Sequence, residues 1–202
     1  YGMSTESDEV QGLFDRVSDC VPLAVTLKGA AFRSAGVKYA NENDLMSGNG
    51  SAYYGGRWNP PGVSAIYASL DPITAVTESY QEFFQYGFAN ATIRPRVFVG
   101  LAINLKCVLD LTDARIRRAL GFTLGDLVDE DWYAIQSAGE ESWTQAIGRA
   151  AVAAGFEALL VPSARDRTGK NVVAFPSNLR SNRAVQVMAA EDLPPHPSKW
   201  PS

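Results

Sequence analysis

Three consecutive segments of the chain each carry one side chain that could contact an anionic or aromatic ligand. Arg57 lies in the segment Gly-Gly-Arg-Trp-Asn, Tyr67 in the short apolar run that follows, and Glu78 in the predicted helix after it. A guanidinium group binds phosphate or carboxylate oxygens through parallel hydrogen bonds, and a tyrosine ring can stack on another aromatic ring. The three residues therefore predict a site for an anionic ligand that contains an aromatic ring.

The scarcity of histidine limits the chemistry that is open to this chain. The single histidine, His196, lies in a Pro-Pro-His-Pro segment, so neither a Ser-His-Asp or Cys-His arrangement nor a catalytic zinc site is expected. The acidic cluster Asp126, Asp129, Glu130 and Asp131 lacks the spacing of a calcium loop, and a solvated helix end is the favoured interpretation. Acid–base work should therefore fall to carboxylates, tyrosine or water, and no metal is expected.

The composition is typical of a soluble globular protein. The chain has 202 residues, of which 46% are apolar and 20% charged, which is enough to bury a core. A net charge of −4 argues against direct nucleic-acid binding. No apolar run reaches the roughly 18 residues of a membrane span, and the first residues are polar and acidic, unlike a signal peptide. Cys20 and Cys107 have no paired spacing, so we expect a cytoplasmic protein.

Hydrophobic periodicity and turn residues predict a mixture of helices and strands. A short amphipathic helix is expected over residues 9–19 and a loop over 40–52. Asp71-Pro72 is a typical helix start, because Asp can cap the first turn and Pro fits its first position; this helix is predicted to run to about Tyr86. Strands are predicted at residues 22–27, 63–69, 96–104, 106–111, 156–161, 171–175 and 184–188.

Further helices are predicted in the second half of the chain. Thr112–Leu120 has helical character with Thr112 as the expected cap, residues 121–141 favour short helices and turns, and 142–154 favour a helix that ends at Gly155. The pattern indicates a single-domain α+β fold with central β-sheets flanked by helices. Its predicted parts are an N-terminal lead-in with a short helix at 1–20, one domain at 21–190 and a Pro-rich tail at 191–202.

Each candidate site residue also has a structural explanation when it is considered alone. Glu78 and Glu82 lie one helical turn apart and can form a solvated helix face as well as an acid–base pair. Tyr67 can be a core tyrosine, and a lone arginine such as Arg33 can be a surface group. Ser163 follows a predicted strand without an evident activating base, so it is better suited to hydrogen bonding than to nucleophilic attack.

Five short segments, taken together and in order, resemble the RES domain family. They are Phe32-Arg33, Gly-Gly-Arg-Trp-Asn at 55–59, Ile-Tyr-Ala-Ser at 66–69, Thr-Ala-Val-Thr-Glu at 74–78 and Val-Pro-Ser-Ala-Arg at 161–165. The family is named for its arginine, glutamate and serine, which the resemblance assigns to Arg33 or Arg57, Glu78 and Ser163. The resemblance covers residues 21–188. The domain predicted at 21–190 is therefore expected to be catalytic and to bind NAD.

This resemblance implies an enzyme that consumes NAD and has a fold similar to that of the ADP-ribosyltransferases. Family members are typically toxins of bacterial toxin–antitoxin pairs. They cleave NAD by hydrolysis or phosphorolysis, or use it to ADP-ribosylate a protein, and their usual partner is a helix-turn-helix antitoxin that covers the active site. NAD is therefore expected as substrate, without a metal. A protein target and a homodimer are compatible with the sequence.

The resemblance also implies a role for each site residue. Glu78 would stabilise the positive charge that develops on the ribose when the nicotinamide–ribose bond breaks. Arg33 and Arg57 would bind the pyrophosphate, Tyr67 would stack on nicotinamide, and Ser163 would hydrogen-bond the ribose or the carboxamide. The expected catalytic residues are Glu78, Arg33 and Ser163.

Two features depart from the family pattern. Tyr53, which is also expected to bind NAD, stands four residues before the loop arginine, where some relatives carry a histidine. The region 112–155 is long for a minimal member and could gate the cleft or bind a partner. Two interpretations remain open: an NAD-consuming enzyme, with transfer of ADP-ribose to a protein as one variant, and a nucleotide-binding module without turnover.

Overall fold

The strands of this chain pair into one mixed sheet. The computed structural model describes residues 3–85 and 96–199, and the side chains of 8–80 and 96–199. The strands are β1 (Val25–Gly36), β2 (Ile66–Ser69), β3 (Arg96–Asp110), β4 (Ala158–Pro162), β5 (Lys170–Ala174) and β6 (Val185–Val187). Their order in the sheet is β1-β2-β5-β4-β3-β6. The β3–β4 pair is parallel, whereas the neighbouring pairs around it are antiparallel.

The sheet closes on itself because β1 pairs with two strands. One edge of β1 runs antiparallel to β3, with Gly36 opposite Arg96 near one end. The other edge meets β2 where Phe32 lies opposite Ser69. Strands β1, β2, β5, β4 and β3 therefore form a ring, and β6 adds to β3 outside it. This closure brings together residues of β1, β2, β3 and β5 that line the candidate site.

Helices surround this sheet. They are α1 (Met3–Asp19), α2 (Glu42–Ser47), α3 (Asn49–Tyr54), α4 (Pro72–Gln85), α5 (Ala114–Leu120), α6 (Leu124–Asp129), α7 (Trp132–Ser137) and α8 (Trp143–Ala153). None of the helices in the described parts of the chain combines the length and the apolar content that crossing a bilayer requires.

Alternate residues of the strands face two separate apolar clusters, as the two-residue period of a β-strand requires. Leu159 belongs to a cluster that also includes Leu13 and Val17 of α1, both fully buried. Leu160 belongs to the cluster on the other face, together with Val172 of β5. The predicted N-terminal helix is therefore part of the core. The expectation of a single-domain α+β fold with flanking helices is confirmed.

The loop predicted for residues 40–52 is wrong, because α2 and α3 occupy most of it. The Asn41 side chain caps α2 by accepting the N–H of Asp44 at 3.0 Å. Gly48, with φ of 64°, then ends α2 and precedes α3. Asn, Gly and Ser suggested a loop, but the same residues also begin and end short helices, since their side chains or backbone freedom satisfy the terminal groups.

The strand predicted at 22–27 is wrong in its bounds, because Val21–Leu23 is a 3-10 helix and β1 continues to Gly36 along its partner β3. The remaining element boundaries agree with the sequence more closely. β3 is one continuous strand where two were predicted. Asp113, rather than Thr112, caps α5, since its carboxylate accepts the N–H of Arg115 at 2.8 Å. Ser142 caps α8 through a reciprocal pair of bonds with Gln145, as the predicted helix start requires.

Candidate active site

Glu78 lies in the second turn of α4, which packs against β1 and β2. The helix begins as predicted: the carboxylate of Asp71 accepts the N–H of Ile73 at 2.8 Å and that of Thr74 at 3.2 Å. Pro72 occupies its first position. Glu78 then lines a cavity of about 200 Å³ between this helix and the strands. The residues that line it are Phe32, Arg33, Ser34, Tyr67, Ala68, Ser69, Ala75, Glu78, Ser79, Arg96 and Asn171.

One oxygen of the Glu78 carboxylate is held by two neutral donors. Its Oε1 accepts a hydrogen bond of 2.5 Å from the Ser163 hydroxyl and one of 2.8 Å from Nδ2 of Asn171. No side chain or backbone group in the described residues donates to Oε2. The carboxylate is therefore oriented by the protein through one oxygen while the other remains available to a ligand.

Ser163 uses its full hydrogen-bonding capacity within the protein. A hydroxyl has one proton to donate and two lone pairs to accept. Ser163 donates to Glu78 and accepts the N–H groups of Arg165 at 3.1 Å and Asp166 at 2.9 Å. It is also buried, at 6% exposure. These contacts suit a residue that positions Glu78, because both lone pairs of the Ser163 oxygen accept backbone N–H groups and are not turned towards a ligand.

The loop that follows β4 is tied to α4 by a second contact. Asp166 accepts a hydrogen bond of 2.6 Å from the hydroxyl of Thr74, which lies one helical turn before Glu78. Gly169 packs so closely on Thr74 that a Cβ atom would come within 2.6 Å of its methyl group. Together with the Ser163–Glu78 bond, these contacts hold the loop against one face of the helix.

Asn171 is a site residue that the sequence predictions missed. It is the cross-strand neighbour of Ser69, and its Oδ1 accepts the Ser69 hydroxyl at 2.7 Å. This bond turns Nδ2 towards Glu78. A polar residue in the otherwise apolar run Asn-Val-Val-Ala-Phe was the available signal, but its partners are distant in the sequence.

Arg33 reaches the cavity from β1 and carries an unused donor. Its Nη1 donates to the carbonyl oxygen of Tyr67 at 2.9 Å, whereas its buried Nε has no hydrogen-bond partner. Burial, and then the nearby positive charge of Arg96, lower the pKa of Arg33 to about 10. A buried donor without an acceptor is unfavourable, so this arrangement favours binding of an anion.

Arg96 also lines the cavity and was not predicted as a site residue. It begins β3, where β3 pairs with β1. Its Nε donates to the Ser34 hydroxyl at 2.6 Å, and its Nη2 donates to the Ser34 carbonyl at 3.3 Å. Its proximity to Arg33 follows from the β1–β3 pairing, which the sequence does not reveal.

Tyr67 is one of the residues that line the cavity, and its hydroxyl has a structural role. The hydroxyl donates to Oδ1 of Asn59 at 2.7 Å and accepts the N–H of Trp58 at 2.9 Å. Burial raises the pKa of this hydroxyl, against the lowering effects of the Trp58 bond and of Arg57. Tyr67 therefore fixes the Gly-Gly-Arg-Trp-Asn loop and is a poor proton donor to a substrate.

Arg57 and Tyr53, two predicted NAD contacts, lie outside the lining of this cavity. Nη1 of Arg57 donates to the backbone carbonyls of Leu127 at 3.2 Å and Glu130 at 3.0 Å. Burial, and then Arg165, lower the pKa of Arg57, while the carboxylates of Glu130 and Glu78 oppose that effect. The Tyr53 side chain is 76% exposed. Arg57 thus joins the loop to α6, and the roles of both residues in binding NAD remain predictions.

The acidic residues near α6 and α7 act as helix caps. Asp126 completes a capping box with Thr123, and Asp131 accepts the N–H of Ala134. The carboxylate of Glu130 accepts the N–H groups of Trp143 and Thr144 at the start of α8. The favoured interpretation of a helix-end cluster agrees with these contacts. No group of residues with the composition of a metal site occurs in the part of the chain that the structure describes.

The chain matches one known protein family over most of its length. The model of the RES domain family matches residues 30–196, and the chain belongs to that family. The resemblance inferred from the five short segments is thereby confirmed.

Particular relatives are known to be enzymes. The chain is 30% identical over 157 residues to the NAD(+) phosphorylase MbcT of Mycobacterium bovis, across 75% of this chain and 77% of that protein. The same values hold for MbcT of Mycobacterium tuberculosis. The fold is similar to that of a chain in the crystal structure of the M. tuberculosis MbcT–MbcA toxin–antitoxin complex, with a TM-score of 0.71 and 23% identity. That match covers 90% of this chain and 96% of the other.

Proposed function

We propose that this protein cleaves the nicotinamide–ribose bond of NAD and transfers the ADP-ribosyl group to phosphate. The observation that carries this proposal is the carboxylate of Glu78, oriented through Oε1 by Ser163 and Asn171 with Oε2 open to the cavity's ligand. The relatives named NAD(+) phosphorylase support the choice of reaction.

The proposed reaction places positive charge where Glu78 can stabilise it. The bond between C1 of the ribose and the pyridinium nitrogen breaks, and its electron pair stays on the nitrogen of the departing neutral nicotinamide. A phosphate oxygen then forms the new bond to C1. Between these events the ribose carries oxocarbenium character, which a carboxylate that accepts a ribose hydroxyl stabilises. Because Ser163 and Asn171 already orient Oε1 of Glu78, little reorganisation accompanies the step.

The remaining residues bind and orient the dinucleotide. We assign the pyrophosphate to Arg33, whose buried Nε lacks a partner, and the nicotinamide ring to the face of Tyr67. Ser163 acts by positioning Glu78. Arg57 and Tyr53 are proposed as outer contacts of NAD, because both lie beyond the cavity lining. NAD is the substrate, and the proposed mechanism uses no metal.

We further infer that the protein acts as the toxin of a toxin–antitoxin pair in the cytoplasm. The crystallised MbcT–MbcA toxin–antitoxin complex, whose toxin has a similar fold, supports this inference. The partner would be an antitoxin of the helix-turn-helix type that covers the cleft beside Glu78. Co-expression of such an antitoxin should restore growth to cells in which this protein alone depletes NAD.

The decisive experiment is product analysis after purified protein is incubated with NAD, with and without phosphate. We expect free nicotinamide and, with phosphate, ADP-ribose that carries phosphate on C1 of the former nicotinamide ribose. Glu78→Gln should lower kcat by at least about 100-fold, since it removes the charge that stabilises the transition state. Glu140→Gln, at an exposed position, is the matched control and should behave as wild type.

Other outcomes identify other activities. NAD that is bound but left intact by the wild-type protein would contradict turnover and indicate a binding module. Transfer of label from tagged NAD to a protein would indicate an ADP-ribosyltransferase. Formation of unphosphorylated ADP-ribose, even in the presence of phosphate, would indicate hydrolysis.

A further inference from the structure

The first half of β1 has an edge without a neighbouring strand. β1 pairs with β3 along its whole length, but it meets β2 only where Phe32 lies opposite Ser69. Before that point, no strand in the described parts of the chain pairs with the other edge of β1. Thr26, Lys28 and Ala30 are exposed there. An open strand edge presents N–H and C=O groups to which another strand can add.

The backbone groups of these three residues point outwards from that edge. The N–H of Asn104 in β3 donates to the carbonyl of Ala184 on the β6 side, so Asn104 faces away from β1. Lys28 lies opposite Asn104 and therefore faces away from β3, because opposite residues of an antiparallel pair are either bonded to each other or both turned outwards. Thr26 and Ala30 face the same way, since directions alternate along a strand. In the part of the chain that the structure describes, the N–H and C=O groups of these three residues form no hydrogen bond.

We propose that this edge pairs with the same edge of a second copy of the chain, so that two β1 strands run antiparallel about a twofold axis. The edge is self-complementary in this arrangement, because each N–H group meets a C=O group of the other copy. Apolar side chains favour it as well. Val25 is 37% exposed, and Leu27 packs against the core while only half-buried. A second strand beside these two residues would remove apolar surface from water.

Charge and existing strand pairing reduce the possible alignments of the two strands. Three alignments pair at least two of the outward-facing residues of each strand. One of them places Lys28 opposite Lys28 of the second copy, and like charges directly opposite each other are unfavourable. Another places Thr26 of the second copy opposite Phe32, where Ser69 already pairs with β1. The third alignment has neither conflict.

In the third alignment, the twofold axis passes between the Leu27 residues of the two copies. Thr26 lies opposite Lys28 of the second copy, so the two strands exchange N–H···O=C bonds at both such pairs. Val25 lies opposite Gly29 of the second copy, where an added Cβ would meet no neighbouring atom within 4 Å, so there is room for the valine side chain. This alignment therefore combines paired backbone groups with apolar contact and does not oppose like charges.

Sedimentation equilibrium of the full chain tests the dimer, with charge substitutions of Thr26. Wild type is expected to dimerise reversibly, and because small interfaces bind weakly, the protein concentrations should extend to about 500 μM. Thr26→Glu places a carboxylate opposite Lys28 of the second copy and should lower the Kd of the dimer by about threefold or more. Thr26→Lys should raise this Kd by about the same factor. Gln186→Glu and Gln186→Lys, at an exposed position of β6, make the same charge changes away from the edge and should leave the Kd unchanged.

A double variant tests the alignment itself. Combining Thr26→Lys with Lys28→Glu should restore dimerisation, because opposite charges then face each other again. Circular dichroism checks that each variant is folded. Wild-type protein that stays monomeric over the whole concentration range overturns the proposal and leaves this edge to a strand of another protein. A dimer whose Kd does not distinguish Thr26→Glu from Thr26→Lys also overturns it, because that dimer must form through another surface. The measurement uses no NAD, so its result is independent of the proposed function.

Discussion

The hydroxyl of Ser163 donates a 2.5 Å hydrogen bond to Oε1 of Glu78, across 85 residues of sequence. The bond joins the loop after β4 to the second turn of α4. It also explains how a glutamate in a helix comes to have a fixed orientation beside the cavity. Since Ser163 accepts two backbone N–H groups as well, it transmits the geometry of its own loop to the carboxylate.

Ser163→Ala should impair both turnover and stability. The substitution frees Glu78 from one donor and leaves two backbone N–H groups without their acceptor, which costs about 1–3 kcal/mol. We expect kcat to fall by about tenfold or more with a smaller change in the KM for NAD. Steady-state kinetics and urea unfolding measure the two effects. Ser137→Ala, at an exposed position, is the control. An unchanged kcat would show that Ser163 does not position Glu78.

Asn171→Ala should separate positioning of Glu78 from binding of NAD. The amide of Asn171 donates to Oε1 of Glu78 and is itself oriented by Ser69. Loss of this amide should lower kcat by about tenfold. NAD affinity is measured by titration in the inactive Glu78→Gln variant, with and without Asn171→Ala, and should change little. In that background Asn171→Ala has no carboxylate to orient, so a large additional loss of affinity would show that Asn171 contacts the substrate directly.

Gly148→Ala should disturb the Gly-Gly-Arg-Trp-Asn loop, although the two are far apart in the sequence. A Cβ atom at Gly148, in α8, would overlap the carbonyl oxygen of Trp58. We expect a loss of about 1–3 kcal/mol in the free energy of unfolding and a higher KM for NAD. Gly50→Ala is the matched control, because a Cβ there meets no neighbouring atom. It should be within about 1 kcal/mol of wild type or slightly more stable. Equal stability of the two variants would contradict the predicted contact.

Anion binding should depend on the protonation of Arg33. Burial lowers the pKa of Arg33 from its usual value to about 10, so the guanidinium stays charged at neutral pH. At a pH between the pKa of Arg33 in the folded protein and its pKa in the unfolded chain, Arg33 keeps its proton only in the unfolded chain. The contribution of this group to the free energy of unfolding therefore rises with pH across that window. The charge available to a bound anion decreases over the same range.

Thermal unfolding with and without ADP-ribose measures this dependence. We expect ADP-ribose to raise the Tm by a constant amount from neutral pH up to about 10 and by less above it. In the Arg33→Met variant, ADP-ribose should raise the Tm by only a small amount at every pH. A wild-type increase that persists unchanged well above the pKa of Arg33 would show that other groups bind the anion.

The local elements of this protein follow from local sequence signals. Asp71-Pro72 begins α4 and Ser142 begins α8 because a side-chain oxygen and the helix N-terminus are neighbours along the chain. Alternation places Ile66 and Tyr67 on opposite faces of β2. The family could also be predicted from the sequence. Several short segments in the right order identify the family, although each segment alone is a weak signal.

The assembly of the site depends on tertiary structure. Arg96 and Asn171 enter the site only because β3 pairs with β1 and β5 pairs with β2, and strand pairing between distant segments leaves no local signal. Tertiary contacts also make Arg57 a link between its loop and α6 instead of a lining residue. The sequence thus predicted which residues could form a site, namely Glu78, Arg33 and Ser163, and the structure brings these three near one cavity. Only the closed sheet decided which of their neighbours would orient them, because hydrogen-bond partners depend on distances in space rather than along the chain.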